Sequence, residues 1–314
     1  MYTTVVSIAA PRSGMTGRLL GIDLGGTNIK VALVEADGVT FRTVSASEYP
    51  AEADLGPEHV ARNLIEAGRA QLARSGEIRS IGLGVPGLFD EATGAIELFP
   101  NLPGNWAGFP LGATVEEALG TEITMINDAR AFTLAEGTLG AGAGFRIVAC
   151  VTLGTGIGGG IMIDGRIHRG AFGVAGEIGH QVIDPDGPRC GCGNQGCVEA
   201  LARADVLTDL AGKETAEEVY RAAAGGDRRS LAAVEQVARA VGIGLANVVT
   251  LIGPDRIVIG GGIVDAGASV LDPIRRAIRE RVTLVPANEI DVVPALLGKW
   301  AGAHGAALAA RLRP

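Results

Sequence analysis

His180, Cys190, Cys192 and Cys197 place one imidazole and three thiols on a short segment, AGEIGHQVIDPDGPRCGCGNQGCVEA (residues 175–200), with glycines and a proline between them for sharp turns. That is the ligand set and loop length of a closed tetrahedral Cys3His zinc site. Disulfides or buried free thiols are the alternative. Disulfides belong to oxidising compartments and gain most in small domains, whereas this chain has 314 residues and no export signal is read in it. The single residue between Cys190 and Cys192 suits two thiolates on one ion. Glu177 and Glu199 flank the cluster, so an ion there would also hold two carboxylates in place.

A second chemistry is written in glycine. Gly25-Gly26-Thr27, Gly154-Thr155-Gly156 and Gly260-Gly261-Gly262 each follow an apolar run. Glycine lets backbone N–H groups approach a phosphate closely, and the two threonines add hydroxyl donors. Two such turns facing each other would cradle a polyphosphate, whereas tight hairpins without a ligand are the plainer alternative. Residues 154–159 (GTGIGG) also fit the dinucleotide fingerprint, but that motif must open a helix, and IMIDGRI reads as a strand and a turn. A phosphate-binding P-loop is excluded because Lys30, Lys213 and Lys299, the three lysines, all lack its glycine spacing.

The elements that must position these groups read as α/β. LLGIDLGGTNIKVALVEADG is a strand, a glycine turn in which Gly25 and Gly26 are free to adopt positive φ, a second strand, and an Asp-Gly turn. VACVTLGTGIGGGIMIDGRI repeats that plan, with Leu153-Gly154 aligned on Leu24-Gly25, which suggests two similar domains facing each other. Helices are expected over 57–75, 111–119, 203–210, 216–224, 230–249 and 273–281, with a small-residue helix at the chain's end. Asn127 and Asp128 sit where a strand (ITMIN) meets a helix, and Asp128 alone would serve as that helix's N-cap. The segment FPNLPGNWAGFP is a loop with Asn101 near its tip. The domains expected are a loose tail over 1–18, with Met15 a possible start, a small domain over 19–125, and a larger one over 126–300 that contains the metal loop. Residues 301–314 are expected to return to the small domain.

Composition sets limits. Hydrophobic residues at 47% and charged residues at 20% are those of an ordinary globular chain, and no apolar run reaches the eighteen residues that span a bilayer. A net charge of −8 gives no general attraction for nucleic acid or anionic lipid, so neither is expected as a partner.

DLGGTNIK, LGTGIGGG and AGEIGH followed by CGCGNQGCVE together resemble the ROK family of sugar kinases, and FPNLPGNW and IND point to its glucokinase branch. The resemblance covers the chain from Leu19 onward. It implies an actin-like, hexokinase-like fold of two ribonuclease H-like α/β domains with the active site in the interdomain cleft. It implies Asp128 as the base for a sugar 6-hydroxyl attacking the γ-phosphate of ATP, and Asn101, Asn127, Asp128, Glu177, His180 and Glu199 on the sugar. By the same resemblance the turns at 25–27 and 154–156 face the phosphates, Asp23 positions Mg2+ through water, and Gly260 to Gly262 lie against the adenosine. The implied protein is a cytoplasmic glucokinase using ATP, Mg2+ and structural Zn2+, and a homo-oligomer, either dimer or tetramer. Rivals are a kinase for another hexose or an N-acetylhexosamine, use of polyphosphate as donor, and a non-catalytic sugar-sensing regulator. Some family members are repressors with an N-terminal helix-turn-helix, for which the eighteen or so residues before the first strand are too few. The residues after Glu199 (ALARAD) lack the serine the family pattern suggests.

Overall fold

The computed structural model describes residues 5–7, 16–37, 40–75, 78–99, 102–262, 267–286 and 288–311. Asn101 lies outside them. The chain divides into two compact units, Met1–Leu139 with Lys299–Pro314, and Gly140–Gly298.

The first unit is a six-stranded sheet in the order β1-β4-β3-β2-β5-β8, built from β1 (Val5–Ser7), β2 (Thr16–Leu24), β3 (Asn28–Asp37), β4 (Thr40–Pro50), β5 (Ile78–Val85) and β8 (Ile123–Asn127). β2, β3 and β4 form an antiparallel meander, and β5 and β8 add parallel to β2. Two short strands, β6 (Leu88–Phe89) and β7 (Ile96–Leu98), make a separate hairpin. The tail expected over 1–18 is in part strand, since β1 pairs with the edge strand β4 and β2 already begins at Thr16. Edge pairing satisfies backbone groups that β4 would otherwise present bare.

Helix α1 (Pro57–Ser75) opens on a proline, which lacks only an N–H that a first turn leaves unused, and carries Glu58 and Arg74 at the ends that suit their charges. Its Val60, Leu64 and Ala67 recur at helical spacing and are fully buried against the sheet. Burying Leu64 alone is worth about 1.5–3 kcal/mol. Helix α2 (Leu111–Leu119) ends on Gly120 in the left-handed region.

The second unit repeats the sheet, five strands in the order β11-β10-β9-β12-β13: β9 (Ile147–Leu153), β10 (Ile157–Ile163), β11 (Arg166–Ile167), β12 (Arg256–Gly260) and β13 (Asp291–Pro294). Again three strands are antiparallel, and two add in parallel to the first. β9 stands where β2 stands, so the repeat read from Leu24-Gly25 and Leu153-Gly154 is a repeat of topology. The Asp164-Gly165 turn between β10 and β11 uses positive φ at both residues, as Asp-Gly hairpins do.

Helices α4 (Val198–Ala202), α5 (Ala204–Ala211), α6 (Ala216–Ala224), α7 (Arg228–Ile252) and α8 (Ala268–Arg279) complete this unit. α4 was not expected, and α8 starts five residues before Pro273, which sits inside it. α7 alone among the described helices is long and apolar enough to cross a membrane, but 67% of its apolar window is buried, and it is the core helix of this unit.

The division falls after Leu139 rather than after residue 125 because α3 (Asp128–Thr138) packs against the last helix, α9 (Ala301–Ala309). α9 lies so close to β2 and β5 that a Cβ at Gly21 would run into the Ala303 carbonyl and one at Gly82 into that of Ala306. Only small residues allow that approach, which places the end of the chain in the first unit.

Candidate functional site

In each unit the candidate groups collect at the carboxyl ends of the parallel strands, where open α/β sheets bind ligands. In the first unit these are Asp23 and the 25–27 turn on β2, Gly87 after β5, and Asn127 with Asp128 at the end of β8. In the second they are the 154–156 turn after β9 and Gly260 to Gly262 at the end of β12.

Asn127, not Asp128, is the N-cap of α3. Its side-chain oxygen accepts the Arg130 N–H at 3.1 Å, and its amide nitrogen donates to the Gly87 carbonyl at 3.2 Å. Capping and cross-strand tie together lock the junction. Asp128 is thereby the first helical residue, half-buried, with Oδ1 accepting the Ala129 N–H at 2.8 Å. The adjoining loop over 102–110 is pinned by Trp106, which is buried against Phe99 and Phe109 and donates to the Pro103 carbonyl at 2.9 Å.

Asp23 is opposite Lys30 in the β2–β3 register, and Lys30 in turn is opposite Glu48 on β4. Burial pushes the Asp23 carboxyl up to about 6, and the Lys30 ammonium acts against that rise. Lys30 carried no expectation, although its pairing follows from the length of the glycine turn. The turn does not use the positive φ that glycine permits. Neither Gly25 nor Gly26 has it, and neither does Gly154 or Gly156. A Cβ on Gly154 would touch nothing within 4 Å. Hairpin geometry therefore does not demand glycine at 154, and an approaching ligand would find bare backbone there. Gly261 is the opposite case, with φ of 92° and no room for a Cβ beside the Leu153 carbonyl.

The ligand atoms of His180, Cys190, Cys192 and Cys197 all lie within 4.8 Å of one another. A tetrahedral zinc with ordinary bond lengths separates two sulfurs by about 3.8 Å and a sulfur from a nitrogen by about 3.6 Å. Cys192 Sγ is 3.8 Å from Cys197 Sγ, and Cys190 Sγ is 3.6 Å from His180 Nδ1. The donor set therefore fits zinc, and the cysteines are free thiols too far apart for a disulfide. Burial pushes the Cys197 thiol up to about 12, reinforced by Cys192 and Cys190, and burial also raises Cys190. Cys192 is instead lowered, its burial being outweighed by hydrogen bonds to it, and a divalent ion would favour the thiolate form of all three.

The scaffold of the cluster is a knuckle closed by Cys190 N–H to the Asn194 carbonyl at 2.9 Å and Gly193 N–H to the Cys190 carbonyl at 3.0 Å. Cys197 then caps α4, which puts Glu199 in that helix's first turn. Glu177 precedes the single 3-10 turn Ile178–His180. Glu177, His180 and Glu199 are all half-buried in the second unit. Glu199 accepts the Ile157 N–H, a contact no sequence pattern marks because α4 was not expected.

A family model described as "ROK family" matches residues 19–312. The chain belongs to the ROK family. A glucokinase of Thermotoga maritima is 33% identical over 92% of this chain and 96% of its own length. The ROK family glucokinase of Streptomyces griseus, solved with glucose and AMPPNP, is 33% identical, covering 95% of this chain and 100% of that one with a TM-score of 0.82. The xylose repressor of Bacillus subtilis is 30% identical over 92% of this chain and 76% of its own. The ROK fold, actin-like with two α/β domains, is the duplicated sheet plan described above.

Proposed function

We propose that this ROK protein is an ATP-dependent glucokinase that transfers the γ-phosphoryl group to the glucose 6-hydroxyl. The observation that carries it is the β8–α3 junction, where Asn127 holds Asp128 at the carboxyl end of the sheet. Asp128 takes the proton of the hydroxyl as its oxygen bonds to the γ-phosphorus, and ADP leaves with the electrons of the broken P–O bond. Asn101, Asn127, Glu177, His180 and Glu199 pair the sugar hydroxyls. Every buried hydroxyl needs such a partner, and a site lacking one discriminates sharply.

The turns at 25–27 and 154–156 present N–H groups and threonine hydroxyls to the phosphates, and Gly260 to Gly262 lie against the adenosine. Asp23 orients Mg2+ through water. Mg2+, when bound with ATP, neutralises the phosphate oxygens. Zinc on the Cys3His cluster holds the segment from Glu177 to Glu199. The compartment this reading implies is the cytoplasm, and the assembly a dimer or tetramer.

The likeness to a xylose repressor favours one rival, a sugar-sensing protein without turnover. A coupled assay of ADP release with glucose, mannose, xylose and N-acetylglucosamine against ATP decides between them, beside an assay of glucose 6-phosphate formed from glucose and polyphosphate. The reading expects glucose with ATP to give the highest kcat/KM. Sugar binding by calorimetry without turnover on any pair would overturn it.

A further inference from the structure

The metal segment is tied at several points to the Gly154–Gly156 turn. Glu199 Oε2 accepts the N–H of Ile157, the residue that follows the turn, at 2.8 Å, while Oε1 faces the Cys190 thiol at 3.7 Å. The Ile157 carbonyl lies against Gly179, the neighbour of His180, so closely that a Cβ on Gly179 would overlap it. Just past α4, the Ala204 N–H donates to the Gly154 carbonyl at 3.0 Å. The N–H of Ile157 is therefore held by a residue two positions from Cys197, and its C=O is packed against the residue beside His180.

We propose that the Cys3His cluster and the Gly154–Gly156 turn form one mechanical unit in which Glu199 is a positioning residue, so that zinc occupancy and affinity of the turn for a nucleotide phosphate are linked. An ion that draws Cys197 to Cys190 sets the start of α4, and with it the direction of the Glu199 carboxylate two residues on. That carboxylate holds the Ile157 N–H through a charge-assisted bond, roughly twice as strong as a neutral one, and so sets the register of the turn. Supporting contacts of this kind commonly change affinity about 10–100-fold. Linkage is reciprocal, so nucleotide must tighten zinc by the factor by which zinc tightens nucleotide. The nucleotide consequence rests on the kinase reading, whereas the mechanical link does not.

Residue-resolved hydrogen exchange tests the link without any substrate. The Ile157 amide is expected to exchange at least about tenfold faster in chelator-treated wild type and in zinc-loaded Glu199→Ala, while β12 and β13 keep their protection. Glu199→Gln, which retains an acceptor oxygen, should fall between. Glu199→Ala keeps all four ligands, so the test survives if the chelated protein unfolds.

Calorimetry with AMPPNP should then show a Kd raised about tenfold by chelation or by Glu199→Ala, and zinc affinity against a chromophoric chelator should rise by the same factor with AMPPNP present. Unchanged exchange at Ile157 in Glu199→Ala would overturn the proposal, as would faster exchange with AMPPNP affinity unmoved. Faster exchange with no AMPPNP binding to zinc-loaded wild type would uphold the mechanical unit and sink the kinase reading instead.

Discussion

Asp128 stands at a helix start whose cap is its neighbour Asn127, and its own Oδ1 accepts the Ala129 N–H. The role proposed for its carboxylate is proton transfer. Asp128→Asn is expected to keep the fold and sugar binding while kcat falls about 10²–10⁴-fold, the usual worth of general-base assistance. Steady-state kinetics beside glucose calorimetry checks this, and retention of more than about a tenth of kcat would remove Asp128 as the base. Asp23 raises a different question, because burial holds its carboxyl near 6 with Lys30 opposing. Between 3.8 and about 6 the folded chain keeps a proton there that the unfolded chain has lost, so this group's contribution to stability declines as pH rises through that window. At pH 7 it is an anion held against its surroundings. Asp23→Asn should therefore stabilise the ligand-free protein by about 1–3 kcal/mol at pH 7 and raise KM for Mg·ATP. A lower melting temperature for the variant would show that the carboxylate is structural.

At the scale of elements, α9 carries a buried histidine that no site uses. His304 Nε2 lies 2.9 Å from Thr43 Oγ1 on β4, its ring meets Phe41 edge-on, and its Nδ1 is buried without a partner. The tautomer that costs least puts the proton on Nε2, donating to Thr43. Burial lowers the ring from 6.5 to about 4. Between those values the unfolded chain binds a proton that the folded chain refuses, so stability falls as pH drops from 6.5 towards 4. The loss is at most about 3 kcal/mol. Urea midpoints at pH 7 and pH 4.5 should fall farther apart in wild type than in His304→Gln, and equal spacing in the two would assign the acid sensitivity elsewhere. This helix was legible in the sequence as a run of small residues. Its return to the first domain was expected, but the residues it meets there were not, because the near-contacts of Gly21 with Ala303 and of Gly82 with Ala306 join residues far apart in the chain.

For the molecule as a whole, two separate apolar cores serve two units of the same plan. The first is discontinuous in sequence, so removing residues 299–314 should uncover β2 and β5 while leaving the second core complete. Hydrogen exchange is expected to show lost protection in β2 and β5 and retained protection in β9 and β12. Equal loss in both sets would mean that the units do not keep their own stability. The Cys3His cluster changes meaning at this scale too. Its spacing suggests a clamp on Glu177 and Glu199, the acids proposed to bind sugar, whereas its contacts lead through Glu199 to the Gly154–Gly156 turn.

Local chemistry was readable in the residues. Three thiols and an imidazole within one glycine-rich loop imply a tetrahedral ion, α1 and α2 fall at their expected bounds, and the strand–turn–strand pattern recurs because each copy must bury an apolar face and turn on few residues. What the residues could not express was partnership across distance. The second bond of the Asn127 side chain runs to a carbonyl forty positions earlier, the Glu199 bond rests on a helix of five residues too short to show periodicity, and the domain boundary on which sheet α9 covers. Hydrogen bonds and close backbone approaches are satisfied by whatever the fold brings near, and sequence patterns record only the faces an element must bury.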